Sequence, residues 1–389
     1  MKSSSLLGLC CGGMVCVAIG VNLPPVYLTT FDTVFGGLNE EQLGRIPAFM
    51  FAGVVAGILL SGPLADRFGV RFFTIAGMAL AALGLFLIAA ARGYGMLLCA
   101  AVVSGLGAGI IDMAMSPIVS AVCGDWRAAA LNRLHGFYCL GGVGTVIATT
   151  AALRFGVSWR VVAAALALIP MALLVGFVLS PLPPLVHPDH AREGLRRLVR
   201  RPRFLLALAA IALAGAAEAG IMQWLPAYSE RELGYGKAGG AAMLVAFSVA
   251  MAGGRFLASH RLHRVNAHGI MLGSAVLCTV LYLLGSLLVL PRPALAACIL
   301  VGLACSALWP TNLAVTADCF PQGGASLFAL LAGVGNIGCL VMPWGIGIVA
   351  ESAGLRLGLL AGTLAPLLLI FVAAAAWRAD RRDGQARPA

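Results

Sequence analysis

Charge is what this chain has least of. Only 11% of its 389 residues are Asp, Glu, Lys or Arg, and the acids number 15. Soluble domains carry roughly a quarter charged residues, so an ordinary water-facing surface is excluded. Metal-ligand spacing is absent as well. The 11 cysteines lie in or at the ends of apolar runs, and no CxxC occurs beside a second pair or a histidine cluster, so no metal site is expected. The thiols read instead as small hydrophobes packing between helices. No HExxH, GxSxG or P-loop pattern is found, which leaves an intramembrane enzyme or an ATP-coupled machine without its residues.

What the chain does have is long apolar runs, at 5–29, 46–64, 73–90, 95–122, 136–153, 161–180, 204–229, 238–258, 269–290, 294–317, 325–350 and 357–377. Each reaches the ~18 residues that a spanning helix needs. The fold class expected is therefore an all-α integral membrane protein with twelve transmembrane helices. The opening MKSSSLLGLCCGG resembles a signal peptide but lacks a small-x-small site, so it is taken as the start of the first span. With the N-terminus inside and loops alternating, 18 of the 26 Lys and Arg fall on the inner side. That obeys the positive-inside bias and predicts a bacterial inner (plasma) membrane protein with both termini cytoplasmic. Topology thus accounts for the net charge of +11, and no nucleic-acid partner is implied.

One basic, proline-rich stretch, 181–203, divides the chain. It separates an N-terminal six-helix half (1–180) from a C-terminal one (204–378), with a cytoplasmic tail at 379–389. The halves repeat weakly. Asn22-Leu23-Pro24-Pro25-Val26-Tyr27 lines up with Gln223-Trp224-Leu225-Pro226-Ala227-Tyr228, 201 positions on. Gly105-Leu106 matches Gly302-Leu303, and Gly141 and Gly144 match Gly335 and Gly338. Such duplicated halves, related by a pseudo-two-fold axis, are the plan of carriers that bind cargo at the midplane.

Sorting the acids by topology puts 13 in loops and leaves Asp112 and Glu218 inside the bilayer, one per half. A carboxylate at a helix centre costs roughly 2.5–3.5 kcal/mol on insertion scales. One explanation is structural, a hydrogen bond tying span four to Asn22 or Ser116. The other is that both acids face a water-filled cavity and pass a proton from one side to the other. Hydrogen-bonding side chains of other spans, Asn22, His135, Tyr138, Gln223, Trp224, Trp309, Asn312 and Asn336, could complete a substrate-binding site. Amides bond hydroxyls, and an indole stacks on the apolar face of a sugar. The 49 glycines read as packing and hinge positions.

The loop after span two, GPLADRFGVR, contains Gly62, Leu64, Ala65, Asp66, Arg67, Gly69 and Arg71. It resembles the signature loop of the major facilitator superfamily, which implies the twelve-span fold, a cytoplasmic gate formed by these residues and cavity-lining positions for the hydrogen-bonding side chains named above. In the second half, Gly254 and Arg255 of GRFLASHRLHR keep part of the motif without its acid. Further pieces resemble the fucose permease-type sugar:proton symporters. They are Gly107-x-Gly109-x-x-Asp112-x-x-x-Ser116-Pro117, Leu131-Asn132-x-x-His135, Glu218 with Gln223-Trp224, and Trp309-Pro310-Thr311. Where that group carries an acid in the first span, this chain has Asn22. The resemblance implies a monomeric secondary transporter in the bilayer for a small-molecule substrate, a symporter of a sugar or similar solute. No cofactor is expected, and a proton or sodium gradient supplies the drive, with Asp112 and Glu218 in proton coupling. The alternatives are an efflux antiporter for drugs or metabolites and a non-transporting receptor with this fold. The Gly-Pro-x-x-Gly-Gly segment usual in drug:proton antiporters is absent from GGVGTVIATT.

Overall fold

The structure, a computed structural model, describes residues 3–123, 127–182, 198–261, 266–320 and 324–385. Among these residues it is entirely helical, with twelve stretches long and apolar enough to cross a membrane. In the first half lie α1 (Ser3–Val34), α2 (Glu40–Phe68), α3 (Val70–Ala90), α4 (Tyr94–Cys123), α5 (Arg127–Arg154) and α6 (Trp159–Leu179). The second half begins with α7 (Pro202–Arg231), α8 (Lys237–Arg261) and α9 (Ala267–Leu287). Span ten is split into α10 (Pro291–Cys305) and α11 (Leu308–Cys319). Span eleven is α12 (Gly324–Ala353), and span twelve is α13 (Leu355–Gly362) with α14 (Leu364–Gln385). An even number of spans brings the two ends of the chain to the same end of the bundle, called here the terminal end. Each of the twelve apolar runs became one span, and most of the 181–203 stretch lies outside the described residues.

Local chemistry fixes the connections. Gly69 alone joins α2 to α3, at φ +82°, a conformation that costs a residue with a Cβ. Asn266 caps α9 by accepting from the His268 and Gly269 amides, and Ser158 caps α6. Proline accounts for both breaks. Pro310 cannot donate to the Ser306 carbonyl and its ring crowds that group, and Pro366 does the same at Gly362. The helices part at those two places.

Packing of the first half rests on glycine. Gly53 and Gly57 of α2 lie against the α4 backbone at Val102 and Leu106, while Gly105 and Gly109 of α4 lie against the carbonyls of Met50 and Val54. On another face of α4, Gly107 meets the backbone of Ala81 in α3. Small residues permit such backbone approach, which is how helices associate where lipid supplies no hydrophobic drive.

The repeat seen in the sequence reappears as contact. Thr29 Oγ1 donates to Glu230 Oε2 at 2.5 Å, and the two positions are 201 apart. Gln223 Nε2 donates to the Val21 carbonyl at 3.3 Å, 202 apart. Spans one and seven therefore face each other at equivalent positions beside the pseudo-two-fold axis. Pro25 explains the second bond: it lacks the N–H that would take the Val21 carbonyl within the helix, leaving it to the other half.

Candidate functional site

The end of the bundle away from the termini is tied shut between the halves. Arg231 at the close of α7 pairs with Asp32 at 2.7 Å and with Glu40. Glu40 N donates to Glu351 at 2.9 Å, and Trp344 Nε1 donates to Glu41 at 3.3 Å. The Trp224 indole, fully buried, donates to the Pro343 carbonyl at 2.9 Å and fills the space beside Gly44 and Gly347. Helices α1, α2, α7 and α12 are joined by these contacts.

Below this seal, toward the terminal end, lies a polar cluster at mid-span. Glu218 of α7 and Arg255 of α8 form an ion pair, Oε2 to Nη2 3.5 Å. Arg255 Nη1 also donates to Cys139 Sγ of α5, at 3.0 Å, which links the two halves. Tyr138 of α5, Cys278 of α9, Cys305 of α10 and Cys339 of α12 all lie within electrostatic reach of Glu218. Neighbours on so many spans put the pair inside the bundle. The side chains nevertheless keep 15% (Glu218) and 25% (Arg255) of their surface exposed.

Asp112 of α4 is half-buried, and its ionisable neighbour is His135 of α5. His135 is exposed and also within reach of Arg255. Among the described residues Asp112 makes no hydrogen bond. The structural alternative, a bond from Asp112 to Asn22 or Ser116, is not formed. Asn22 donates instead to the Ala18 carbonyl at 2.9 Å and packs on Gly142.

Four expected groups thus assemble: Asp112, His135, Tyr138 and Glu218. Others do not join them. Trp224 belongs to the seal, since its fully buried indole, with its N–H already bonded, has no face free for a solute while the seal is closed. Gln223 bridges the halves within that seal and keeps a buried, unpaired Oε1. Asn312 donates to the Ala207 carbonyl at 2.9 Å and accepts from Thr316, holding span ten to span seven. Trp309 packs on Gly215 and Gly335. Asn336 donates to its own helix at Ala332.

Arg255 departs furthest from expectation. Read as part of a gate at a loop, it sits beside Glu218, where each charge offsets the burial of the other. Gly254 packs against Ser306 in the break of span ten, and a side chain there would push α8 away. Arg71 ties α3 to α6 within the first half, donating to the Ser180 and Val178 carbonyls at 3.0 and 2.7 Å. The surroundings of Gly62 and the side chains of Asp66 and Arg67 lie outside the described residues. Sequence reasoning missed Arg231 and Trp344 in the seal and the thiols around Glu218. The offset of 199 between Asp32 and Arg231, close to the repeat length, was the available signal.

Two halves meeting at a midplane polar cluster, closed at one end, is the architecture of a carrier. A family model for the Major Facilitator Superfamily matches residues 5–299. The chain belongs to that superfamily. As one of its members it is a transporter and not an enzyme, embedded in a membrane and acting on a small molecule. Three solved superfamily-fold structures resemble it. A bacterial homologue of the human lysosomal transporter Spinster, inward-facing and unoccupied, gives a TM-score of 0.80 at 16% identity, over 97% of this chain and 98% of that one. The D-xylose-proton symporter gives 0.78 at 14%, over 97% and 98%. The fucose:proton symporter FucP of E. coli gives 0.64 at 19%, over 95% and 98%. At these identities the likeness concerns the fold. No curated protein matches the sequence.

Proposed function

We propose that this superfamily member takes up a small polar solute of the sugar type together with protons, by alternating access. The observation that carries the reading is Asp112. It is a carboxyl group inside the bundle, without a hydrogen bond among the described residues, beside an exposed histidine and on the terminal side of the seal. A charge at that depth is expensive unless it is paired or reached by water. Asp112 is proposed to take its proton from one side and release it to the other as the halves rock. Glu218, already paired with Arg255, serves the solute side of the site, with Tyr138 and His135.

The positive-inside bias of the sequence supports a terminal end that faces the cytoplasm, in keeping with the bacterial inner membrane expected for the chain. The sealed end is then external. Support for a sugar-type cargo comes from the FucP and xylose neighbours, both named as proton symporters, and from the fourth-span motif around Asp112.

The test is uptake into proteoliposomes with an imposed pH gradient, using labelled D-xylose, L-fucose, D-gluconate and D-glucuronate. The expected result is accumulation of at least one solute above equilibrium, collapsed by a protonophore. Accumulation driven by sodium and indifferent to pH, or no accumulation of any of the four, contradicts the proposal.

A further inference from the structure

Arg255 is poorly served by its neighbours. A guanidinium presents five N–H donors in a planar fork. Here Nη1 has the Cys139 sulfur at 3.0 Å, and Nη2 has Glu218 at 3.5 Å and the Met251 sulfur at 4.0 Å. Its Nε is buried with no acceptor among the described residues. Thiols and thioethers are weak acceptors. Charge-assisted guanidinium–carboxylate bonds close to about 2.7–2.9 Å and are often two-pronged. This contact is single and long. A built-in structural pair would close the fork, because an under-bonded charge among transmembrane helices is costly. The pair is instead loose, partly exposed, and one carboxylate short among the described residues.

We propose that Arg255 is the anchor for a carboxylate of the transported solute, with Glu218 standing in for it when the carrier is empty. The inference rests on the reading of the chain as a carrier for a small polar solute, and it names the class: a hydroxylated monocarboxylate such as a sugar acid or hydroxy acid. One guanidinium matches one carboxylate. A second negative charge on the solute would face Glu218 and Asp112 with only His135 to meet it. The hydroxyls of such a solute suit the Tyr138 hydroxyl and the His135 ring on α5. Glu218 keeps the arginine paired on the return of the unloaded carrier and yields it to the cargo.

Cys139, half-buried and touching Arg255, reports on this contact without any transport measurement. In protein held in nanodiscs, Cys99→Ser, Cys123→Ser and Cys319→Ser leave Cys139 as the accessible thiol, since the fully buried thiols react slowly. The rate of its modification by N-ethylmaleimide is followed with D-gluconate, D-glucuronate or L-lactate, and with D-xylose or L-fucose, as protectants. At ten times its dissociation constant, at least one of the acids is expected to slow labelling about tenfold, while the neutral sugars do not. Glu218→Gln should lower the protecting concentration several-fold by removing the competitor. Arg255→Gln combined with Glu218→Gln, which removes both charges together and spares the fold an orphan ion, should abolish protection. Arg255→Lys should leave it weakened. Equal protection by a neutral sugar, protection that survives in the double variant, or no protection by any of the three acids overturns the inference. Protection by an acid without driven uptake would sink the proton-coupled reading and leave this one standing. Driven uptake of a neutral sugar without acid protection would do the reverse.

Discussion

Asp112→Asn is expected to reduce gradient-driven accumulation to the equilibrium level while exchange of internal for external solute continues. The amide matches the carboxyl in size and can still hydrogen-bond a solute, but it has no proton to surrender. Exchange needs only that the loaded carrier rock between its two states, whereas accumulation needs a proton to cross with the cargo. No hydrogen bond is broken by the change, because Asp112 makes none among the described residues. The fold should therefore tolerate the variant, with a melting temperature equal to or above that of the parent, as the charge being removed is one that costs roughly 2.5–3.5 kcal/mol on insertion scales. The two assays and the melting curve together separate a lost coupling step from a damaged protein.

Gly105→Val and Gly109→Val are expected to be among the most damaging changes to the fold. A Cβ at either position would fall well inside contact with a backbone carbonyl of α2, that of Met50 or Val54. Backbone cannot swing aside as a side chain can, so α2 and α4 must separate along two turns. Overpacking a well-filled interior costs about 1–3 kcal/mol, and a clash with backbone belongs at or above the upper end of that range. Unfolding in mixed detergent should show a loss of about 3 kcal/mol or more for each variant. Gly144→Val offers the contrast, for nothing lies within 4 Å of a Cβ built there, and its effect should be small.

Twelve spans were legible because lipid demands a continuous apolar run, and no competing structure shares that signal. The repeat was legible for a related reason: Asn22 to Tyr27 and Gln223 to Tyr228 sit where spans one and seven meet, so both copies kept polar groups and prolines. Asp112 and Glu218 stood out because hydrocarbon leaves few places for an acid. Arg255 did not stand out. It lies near the end of an apolar run and beside the glycine of a motif remnant, so by sequence it belongs with the loop charges, and only the fold brings Glu218 to it from the neighbouring helix. Trp224 lies apart from the cluster for a similar reason. Composition says that an indole is available, but only packing says that Gly44 and Gly347 make room to bury it. The break in span ten was within reach, since Pro310 frees the carbonyl of Ser306. What no single sequence supplies is which helix faces turn inward, because an apolar run carries little polarity to mark them.

The account depends on the two halves parting at the sealed end during each cycle. Thr29 and Glu230, bonded across that seal at 2.5 Å, give the most direct measurement. Cysteines at both positions, joined by a short reducible crosslinker in protein reconstituted into liposomes, hold the halves together there. Solute transport should stop while the bridge is intact and return when it is reduced, with Cys139 still open to N-ethylmaleimide throughout. Transport at an undiminished rate through the bridged protein would contradict the account.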